Sequence, residues 1–288
     1  MTEHTSTYGI IGYPLQHSLS PLMHNTAFKA LGVDAVYKTF PLQEAELPSF
    51  FTHLKEKKSP VFGLNVTVPY KEKVLPFLDA LSPFTIRVGA VNTIVIDEDR
   101  KLTGFNTDGP GFLTHLMEMG ISTAGKRIAV LGAGGTTRAV LAALCLLPEK
   151  PAAIKIYNRT TAKARELVAR LGEKIDTGLV EVVDQMDDLN VELADLLVNT
   201  TSVGLKEGDP CLVDENLLHA NMLVYDVVYN PKETELLRRA KAKGARTSNG
   251  LGMLFYQGVL AFQHWAGVPL EADVKAKMRQ SLEQERVI

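Results

Sequence analysis

Gly132, Gly134 and Gly135 stand in the order Gly132-Ala133-Gly134-Gly135-Thr136, directly after the apolar run Ile128-Ala129-Val130-Leu131. A helical apolar pattern follows at once in Ala139, Val140, Ala142, Ala143 and Leu144. A buried strand that feeds a glycine turn and then a helix N-terminus suits a pyrophosphate. Glycines let the backbone approach the phosphates, and free N–H groups with the helix dipole favour their charge. The spacing departs from Gly-x-Gly-x-x-Gly at its third position, which is Thr137.

The end of the next strand distinguishes one dinucleotide from another. An NAD site places an acid there for the ribose 2′-hydroxyl. This chain reads Tyr157-Asn158-Arg159-Thr160-Thr161-Ala162-Lys163, with no acid. A guanidinium matches a phosphate with two parallel charge-assisted hydrogen bonds, and a carboxylate would repel it. The expected cofactor is therefore NADP. The competing reading is that Arg159 and Lys163 are an ordinary solvated surface.

Oxidising an alcohol moves a proton as well as a hydride, so a proton-transfer group is needed beside the reacting carbon. None of the seven histidines has a partner evident from spacing, and only His17, beside Ser18, draws attention. Lys71 is the better candidate, because it follows the alternating strand Asn65–Val68 and Pro69. A desolvated lysine serves as acid or base near neutrality. Two readings stand: that role, or an exposed charged start of a helix at Lys71-Glu72-Lys73. Asp108 is equally two-sided. It is either the N-cap of the helix from Gly109 or a carboxylate that holds the Lys71 ammonium and a substrate hydroxyl.

The elements that position these residues follow from pattern. In the first region, strands are expected at Tyr8–Gly12, Val36–Leu42, Gly63–Pro69, Gly89–Ile96 and Lys101–Asn106. Helices are expected from Ser20-Pro21 to Leu31, with Ser20 as cap and Gly32 as stop, over Leu47–Lys57, over Tyr70–Leu78 and from Thr107 onward. In the second region, strands at Ile128–Leu131, Ala153–Tyr157, Leu179–Val183, Leu196–Thr200 and Leu223–Val228 alternate with helices at Ala139–Leu147, Ala162–Leu171 and Glu233–Lys243. That alternation predicts a doubly wound parallel sheet. A last strand is expected at Arg246–Ser248, and helices over Leu251–Trp265 and Ala272–Gln284.

The 288 residues suffice for two domains, and a net charge of −2 offers no field for nucleic acid. Cys145 and Cys211 match no metal spacing and read as reduced thiols of a cytoplasmic protein. The start of the chain lacks a signal-peptide core, and no apolar run is long enough to span a bilayer. The expected partner is a small molecule, with no nucleic acid, no membrane and no metal. The sequence admits a homodimer.

Together the motifs resemble those of the shikimate dehydrogenase family. They are Gly12-x-Pro14-x-x-His17-Ser18-Leu19-Ser20-Pro21, Asn65-Val66-Thr67-x-Pro69-Tyr70-Lys71, Gly89-Ala90-Val91-Asn92-Thr93 and Asn106-Thr107-Asp108-Gly109. The second half adds the glycine turn, Asn158-Arg159-Thr160, Asp226-Val227-Val228-Tyr229-x-Pro231-x-x-Thr234 and Asn249-Gly250-x-Gly252-Met253-Leu254-x-x-Gln257. The resemblance is collinear and covers nearly the whole chain. It implies reversible NADP-linked reduction of 3-dehydroshikimate to shikimate, in aromatic amino-acid and chorismate biosynthesis. It implies two α/β domains: a substrate domain over residues 1–120 and a Rossmann-type NADP domain over 121–248. The C-terminal helices at 249–288 would pack back on the first domain. A hinge is expected where the chain crosses between them, near Leu116–Lys126 and Thr247–Leu251.

By matching positions, the resemblance makes Lys71 the acid/base and Asp108 its partner. Ser18 and Ser20 would meet the substrate carboxylate. Thr67, Asn92, Asp108 and Gln257 would meet the ring hydroxyls, with Tyr229 nearby. Gly132, Ala133, Gly134, Gly135 and Thr136 would hold the pyrophosphate. Asn158, Arg159, Thr160 and Lys163 would hold the 2′-phosphate, with Val227 and Gly250 at the nicotinamide end. A site of neutral donors and acceptors suits a small polyhydroxylated acid and rejects analogues that leave those groups unmatched. Two departures stand out: Thr200, where the family often has alanine, and Lys163, where it often has arginine. Two rival readings are a dual quinate/shikimate dehydrogenase, whose NAD preference Arg159 opposes, and a non-catalytic NADP-binding regulator, which the presence of both Lys71 and Asp108 opposes.

Overall fold

The structure is a computed structural model that describes residues 5–15, 18–206 and 208–284. Its internal contacts divide the chain into two units. One holds the residues up to Gly111 and those from Phe255 on; the other holds Phe112–Leu254. The divisions fall inside the helices α4 (Asp108–Glu118) and α8 (Leu251–Ala266) rather than in the connecting loops.

The first unit is built on six strands: β1 (Ser6–Gly12), β2 (Ala35–Pro41), β3 (Val61–Val66), β4 (Ala80–Leu81), β5 (Thr93–Ile96) and β6 (Leu102–Phe105). Their order is β2-β1-β3-β5-β6-β4. The first three run parallel, and β5 runs antiparallel to both neighbours. Ile11, Leu64, Val66, Ile94 and Leu102 bury one cluster with Phe51 and Leu54 of α2 (Leu47–Leu54). Residues buried on both faces of a central strand read as nearly continuous apolar runs, as β3 does. From the C-terminal end, α9 (Ala272–Gln284) lies against α1 (Ser20–Leu31), and Trp265 Nε1 of α8 donates to the Ile94 carbonyl at 3.0 Å.

Two local expectations are corrected here. Ser20 does not cap α1: the cap position is Leu19, and the Ser20 N–H instead points at Ser18 Oγ, 3.3 Å away. The stop at Gly32, with φ 65°, is as expected. Residues 70–78 form turns and a single 3-10 turn at Leu75–Phe77, not a helix. The Lys71 carbonyl is taken by the Val91 N–H at 2.7 Å, and Pro76 has no N–H to give Glu72. The helical ladder therefore has neither the acceptor nor the donor it needs.

The second unit carries β7 (Arg127–Leu131), β8 (Ala153–Tyr157), β9 (Val180–Val182), β10 (Leu196–Asn199), β11 (Leu223–Asp226) and β12 (Arg246–Ser248). All pair in parallel, in the order β12-β11-β10-β7-β8-β9. Helices α5 (Gly135–Cys145), α6 (Thr161–Gly172) and α7 (Glu235–Ala242) connect them. Read from β9, the order is three, two, one, four, five, six. This is the doubly wound arrangement whose ligand crevice lies beyond the strand ends where the order reverses. That reversal is between β7 and β10, and the glycine turn follows β7 directly. Among the described residues no helix is long and apolar enough to cross a membrane.

Candidate active site

In the first unit, Lys71 and Asp108 meet. Lys71 Nζ donates to Asp108 Oδ2 at 2.6 Å, and the two side chains are only 13% and 8% exposed. Lys71 is fixed from both sides. Tyr70 before it is buried, donates its N–H to the Thr67 carbonyl and its hydroxyl to the Leu42 carbonyl, while the Lys71 carbonyl is held by Val91. Asp108 lies in the first turn of α4, so its carboxylate also sits at the favourable end of a helix dipole. Lys71 is therefore not an exposed helix start, and the Asp108 carboxylate faces the lysine.

Asn92 holds the other carboxylate oxygen. Its Nδ2 donates to Asp108 Oδ1 at 2.8 Å, to Thr107 Oγ1 at 2.8 Å and to Gln257 Oε1 at 3.3 Å. Its orientation is set by the Thr107 backbone N–H, which donates to Asn92 Oδ1 at 2.7 Å. An N–H can face only the amide oxygen, so the amide nitrogen must face Asp108. Behind Asn92 stand Thr93, Asn65 and Tyr37. Thr93 donates to Asn92 Oδ1 at 3.1 Å, Asn65 Nδ2 donates to Thr93 Oγ1 and the Asn92 carbonyl at 3.2 Å each, and the Tyr37 hydroxyl donates to Asn65 Oδ1 at 2.7 Å. Every member is buried, and a fully satisfied buried network specifies one arrangement.

The remaining substrate candidates divide by unit. Thr67 follows β3 and gives its N–H to the Ile11 carbonyl at 2.9 Å. Ser18 is half-buried and Ser20 buried at the start of α1. Gln257 lies on the part of α8 that belongs to the first unit, which is why it reaches Asn92 across 165 positions of sequence. Tyr229 is carried by the second unit. His17 lies outside the described residues.

The second unit holds all the dinucleotide candidates. Gly132 has φ +110°, a conformation that favours glycine, and a Cβ there would lie 2.6 Å from Thr200 Oγ1. Gly134 is exposed, with nothing within 4 Å of where a Cβ would stand, so the turn presents bare backbone. At the end of β8, Asn158 Nδ2 is turned onto the Thr160 carbonyl at 2.8 Å. Arg159, Thr160 and Lys163 are exposed, and neither cation has an ion pair among the described residues. Two uncommitted cations beside two hydroxyls, with no carboxylate, fit a 2′-phosphate. The Val227 N–H is fixed by the Asn199 carbonyl at 2.9 Å, and the Gly250 N–H by the Val228 carbonyl at 3.0 Å. A Cβ on Gly250 would fall on the Val227 carbonyl, so the two segments can lie this close only with glycine.

Sequence reasoning gave Thr107, Thr93, Asn65, Tyr37 and Asp226 no role. Asp226 is fully buried and takes three donors: Thr234 Oγ1 at 2.7 Å, Asn199 Nδ2 at 2.9 Å and the Val228 N–H at 3.0 Å. Burial nevertheless pushes its carboxyl above the usual carboxylate range. It ties the loop after β11, which carries Val227 and Tyr229, to the end of β10. The available signal was an acidic residue closing an apolar strand, Leu223-Val224-Tyr225-Asp226, with a threonine eight positions on.

With this geometry in view, similarity to known proteins is specific. Residues 10–94 match the family model described as the shikimate dehydrogenase substrate binding domain. Residues 115–206 match that of shikimate / quinate 5-dehydrogenase. The chain is 44% identical to the shikimate dehydrogenase (NADP(+)) of Carboxydothermus hydrogenoformans, over 95% of this chain and 96% of that protein. Its structure is similar to the crystal structure of shikimate dehydrogenase from Aquifex aeolicus, with a TM-score of 0.86 and 38% identity, covering 96% of this chain and 98% of that one. It is also similar to the shikimate 5-dehydrogenase of Thermus thermophilus in complex with NADP(H) and shikimate. That likeness has a TM-score of 0.82 and 37% identity, covering 97% and 99% of the two chains.

Proposed function

The chain belongs to the shikimate dehydrogenase family, and we propose that it interconverts 3-dehydroshikimate and shikimate with Lys71 as the proton-transfer group and Asp108 as its partner. It is an NADP-dependent oxidoreductase. The observation that carries the residue roles is the 2.6 Å pair of Lys71 and Asp108, held in register by Asn92.

The nicotinamide supplies or takes up hydride when NADP is bound. The chain supplies the rest. In the reducing direction the Lys71 ammonium gives a proton from Nζ to the oxygen that becomes a hydroxyl. In the oxidising direction the same nitrogen takes it back. Asp108 restrains Nζ and offers a carboxylate oxygen to the hydroxyl beside it, because a carboxylate can accept from more than one donor at once. Thr67, Asn92 and Gln257 supply neutral polar atoms for the other ring hydroxyls, and Ser18 and Ser20 for the substrate carboxylate; Tyr229 completes the set. Gly132, Ala133, Gly134, Gly135 and Thr136 would hold the pyrophosphate. Asn158, Arg159, Thr160 and Lys163 would hold the 2′-phosphate, with Val227 and Gly250 at the nicotinamide. The same reading makes residues 1–120 with the helices at 249–288 the substrate domain and 121–248 the NADP domain. It places the protein in the cytoplasm, where the free thiols Cys145 and Cys211 would stay reduced, and allows a homodimer.

The deciding experiment is an initial-rate assay with shikimate and NADP⁺ at mildly alkaline pH, where proton release pulls oxidation forward. Quinate and NAD⁺ are run in parallel. Turnover of shikimate with NADP⁺ is expected. Comparable kcat/KM for quinate with NAD⁺ would favour the dual enzyme, which the free Arg159 speaks against. NADP⁺ binding without turnover would favour a regulator.

A further inference from the structure

The third glycine position, Thr137, and the position where alanine is common in the family, Thr200, touch each other. Thr137 is fully buried, and its Oγ1 lies 2.7 Å from that of Thr200. The direction of this hydrogen bond can be worked out. Thr200 Oγ1 gives its single proton to the Leu131 carbonyl at 2.6 Å, so Thr137 must be the donor between the two hydroxyls. Thr137 Oγ1 accepts in turn from the Gly134 N–H at 3.0 Å. One directed relay therefore runs from the Gly134 N–H through Thr137 and Thr200 to the Leu131 carbonyl, the last residue of β7. It closes the glycine turn on itself through the first turn of α5 and the end of β10. Gly132 completes the closure, since a Cβ there would lie 2.6 Å from Thr200 Oγ1 and only glycine leaves room for the contact.

We infer that the Thr137–Thr200 pair is a latch that presets the glycine turn for a dinucleotide's pyrophosphate. Both are positioning residues that act through Gly134, and the latch rests on the reading that this turn holds NADP. With the Gly134 N–H turned inward, Gly134 contributes shape rather than a donor, and the N–H groups of Gly135 and Thr136 are among those left for the anion. These open α5 and have no earlier carbonyl in the helix to reach. A turn already in its binding shape has less freedom to lose on binding.

The test is calorimetric titration of the whole protein with NADP⁺ and, separately, with 2′-AMP, which lacks the pyrophosphate. Thr137→Val and Thr200→Ala each remove one hydroxyl, and the second introduces a residue the family itself uses. Each is expected to raise the Kd for NADP⁺ about tenfold, as loss of a buried hydrogen bond should. The double variant is expected to lose about as much as either single one, because both break the same relay. Thr137→Ser keeps the hydroxyl and should bind within about twofold of wild type. The Kd for 2′-AMP should not move in any of them. An unchanged Kd for NADP⁺, losses that multiply in the double variant, or an equal loss for 2′-AMP would overturn the latch. A wild-type protein that does not bind NADP⁺ would overturn the cofactor reading and the latch with it.

Discussion

Asp108→Asn is the sharpest perturbation of the site, because the surroundings make an amide nearly as disruptive as a deletion. The carboxylate receives donors on both oxygens: Lys71 Nζ on Oδ2 at 2.6 Å and Asn92 Nδ2 on Oδ1 at 2.8 Å. An amide has one oxygen. If that oxygen faces Lys71, its NH₂ is pressed against the NH₂ of Asn92. If it faces Asn92, its NH₂ is pressed against an ammonium. Asn92 cannot turn over to relieve the conflict, because the Thr107 N–H pins its oxygen at 2.7 Å. At least one charge-assisted hydrogen bond is lost, which is worth about 1.5–3 kcal/mol, or roughly 10- to 150-fold. The proton-transfer nitrogen also loses its restraint. The expected fall in kcat/KM for shikimate is about 10²–10³-fold, shared between kcat and KM, with the KM for NADP⁺ unchanged. Steady-state kinetics in both directions measures it. A kcat/KM within about threefold of wild type would refute the two-donor argument, and a loss confined to NADP⁺ would refute the placement of Asp108 at the substrate.

Other consequences follow from the same geometry. Lys71→Ala should lower kcat at least about 10²-fold with a modest change in KM, measured by initial rates, and near-normal kcat would end its assigned role. Arg159→Ala should weaken NADP⁺ and narrow its margin over NAD⁺, read as the ratio of the two kcat/KM values; an unchanged ratio would return Arg159 to the solvated surface. His24 is fully buried against Tyr37 and Trp265, and burial pulls its pKa from 6.5 down to about 3. The folded state thus refuses a proton that the unfolded chain takes up. Stability attributable to His24 is whole above about pH 6.5 and falls by up to about 1.4 kcal/mol per unit as pH drops toward 3. In denaturant titrations between pH 7 and 5, His24→Leu should flatten that slope, and an unchanged slope would assign the loss to other groups.

The second unit was legible because its central strands β7, β10 and β11 are buried almost throughout and its helices alternate with its strands. β8 and β12 carry the bounds the pattern predicts, as α9 does in the first unit, and the glycine turn sits at the point of reversal that the doubly wound order requires. What could not be read were interactions whose two ends lie far apart in sequence. Lys71 opens what looks like a helix, since Val74, Leu75 and Leu78 have helical spacing. Pro76 is a local warning against it, but the loss of the Lys71 carbonyl comes from Val91, on the far side of the α3 (Pro83–Val88) segment. Ser20 looks like a cap for the same reason: local chemistry favours it, and the chain enters the helix one residue earlier.

The same limit governs the site. Polar residues in these motifs invite assignment to a ligand, as Asn92, Asp108 and Gln257 do, while Thr107 draws none. The structure separates two jobs among them. Asn92 has its amide oxygen occupied by the Thr107 N–H and its nitrogen shared among Asp108, Thr107 and Gln257, so its first duty is to hold other site residues. Lys71 has three N–H groups, and Asp108 takes one of them. Under the proposed function, Lys71 therefore keeps N–H groups for a ligand, and Asn92 braces Asp108 as well as serving a ring hydroxyl. Asn92→Ala should on this argument behave like a milder Asp108→Asn, with kcat falling alongside the rise in KM. A change in KM alone would show that Asn92 is a ligand contact first and a brace second.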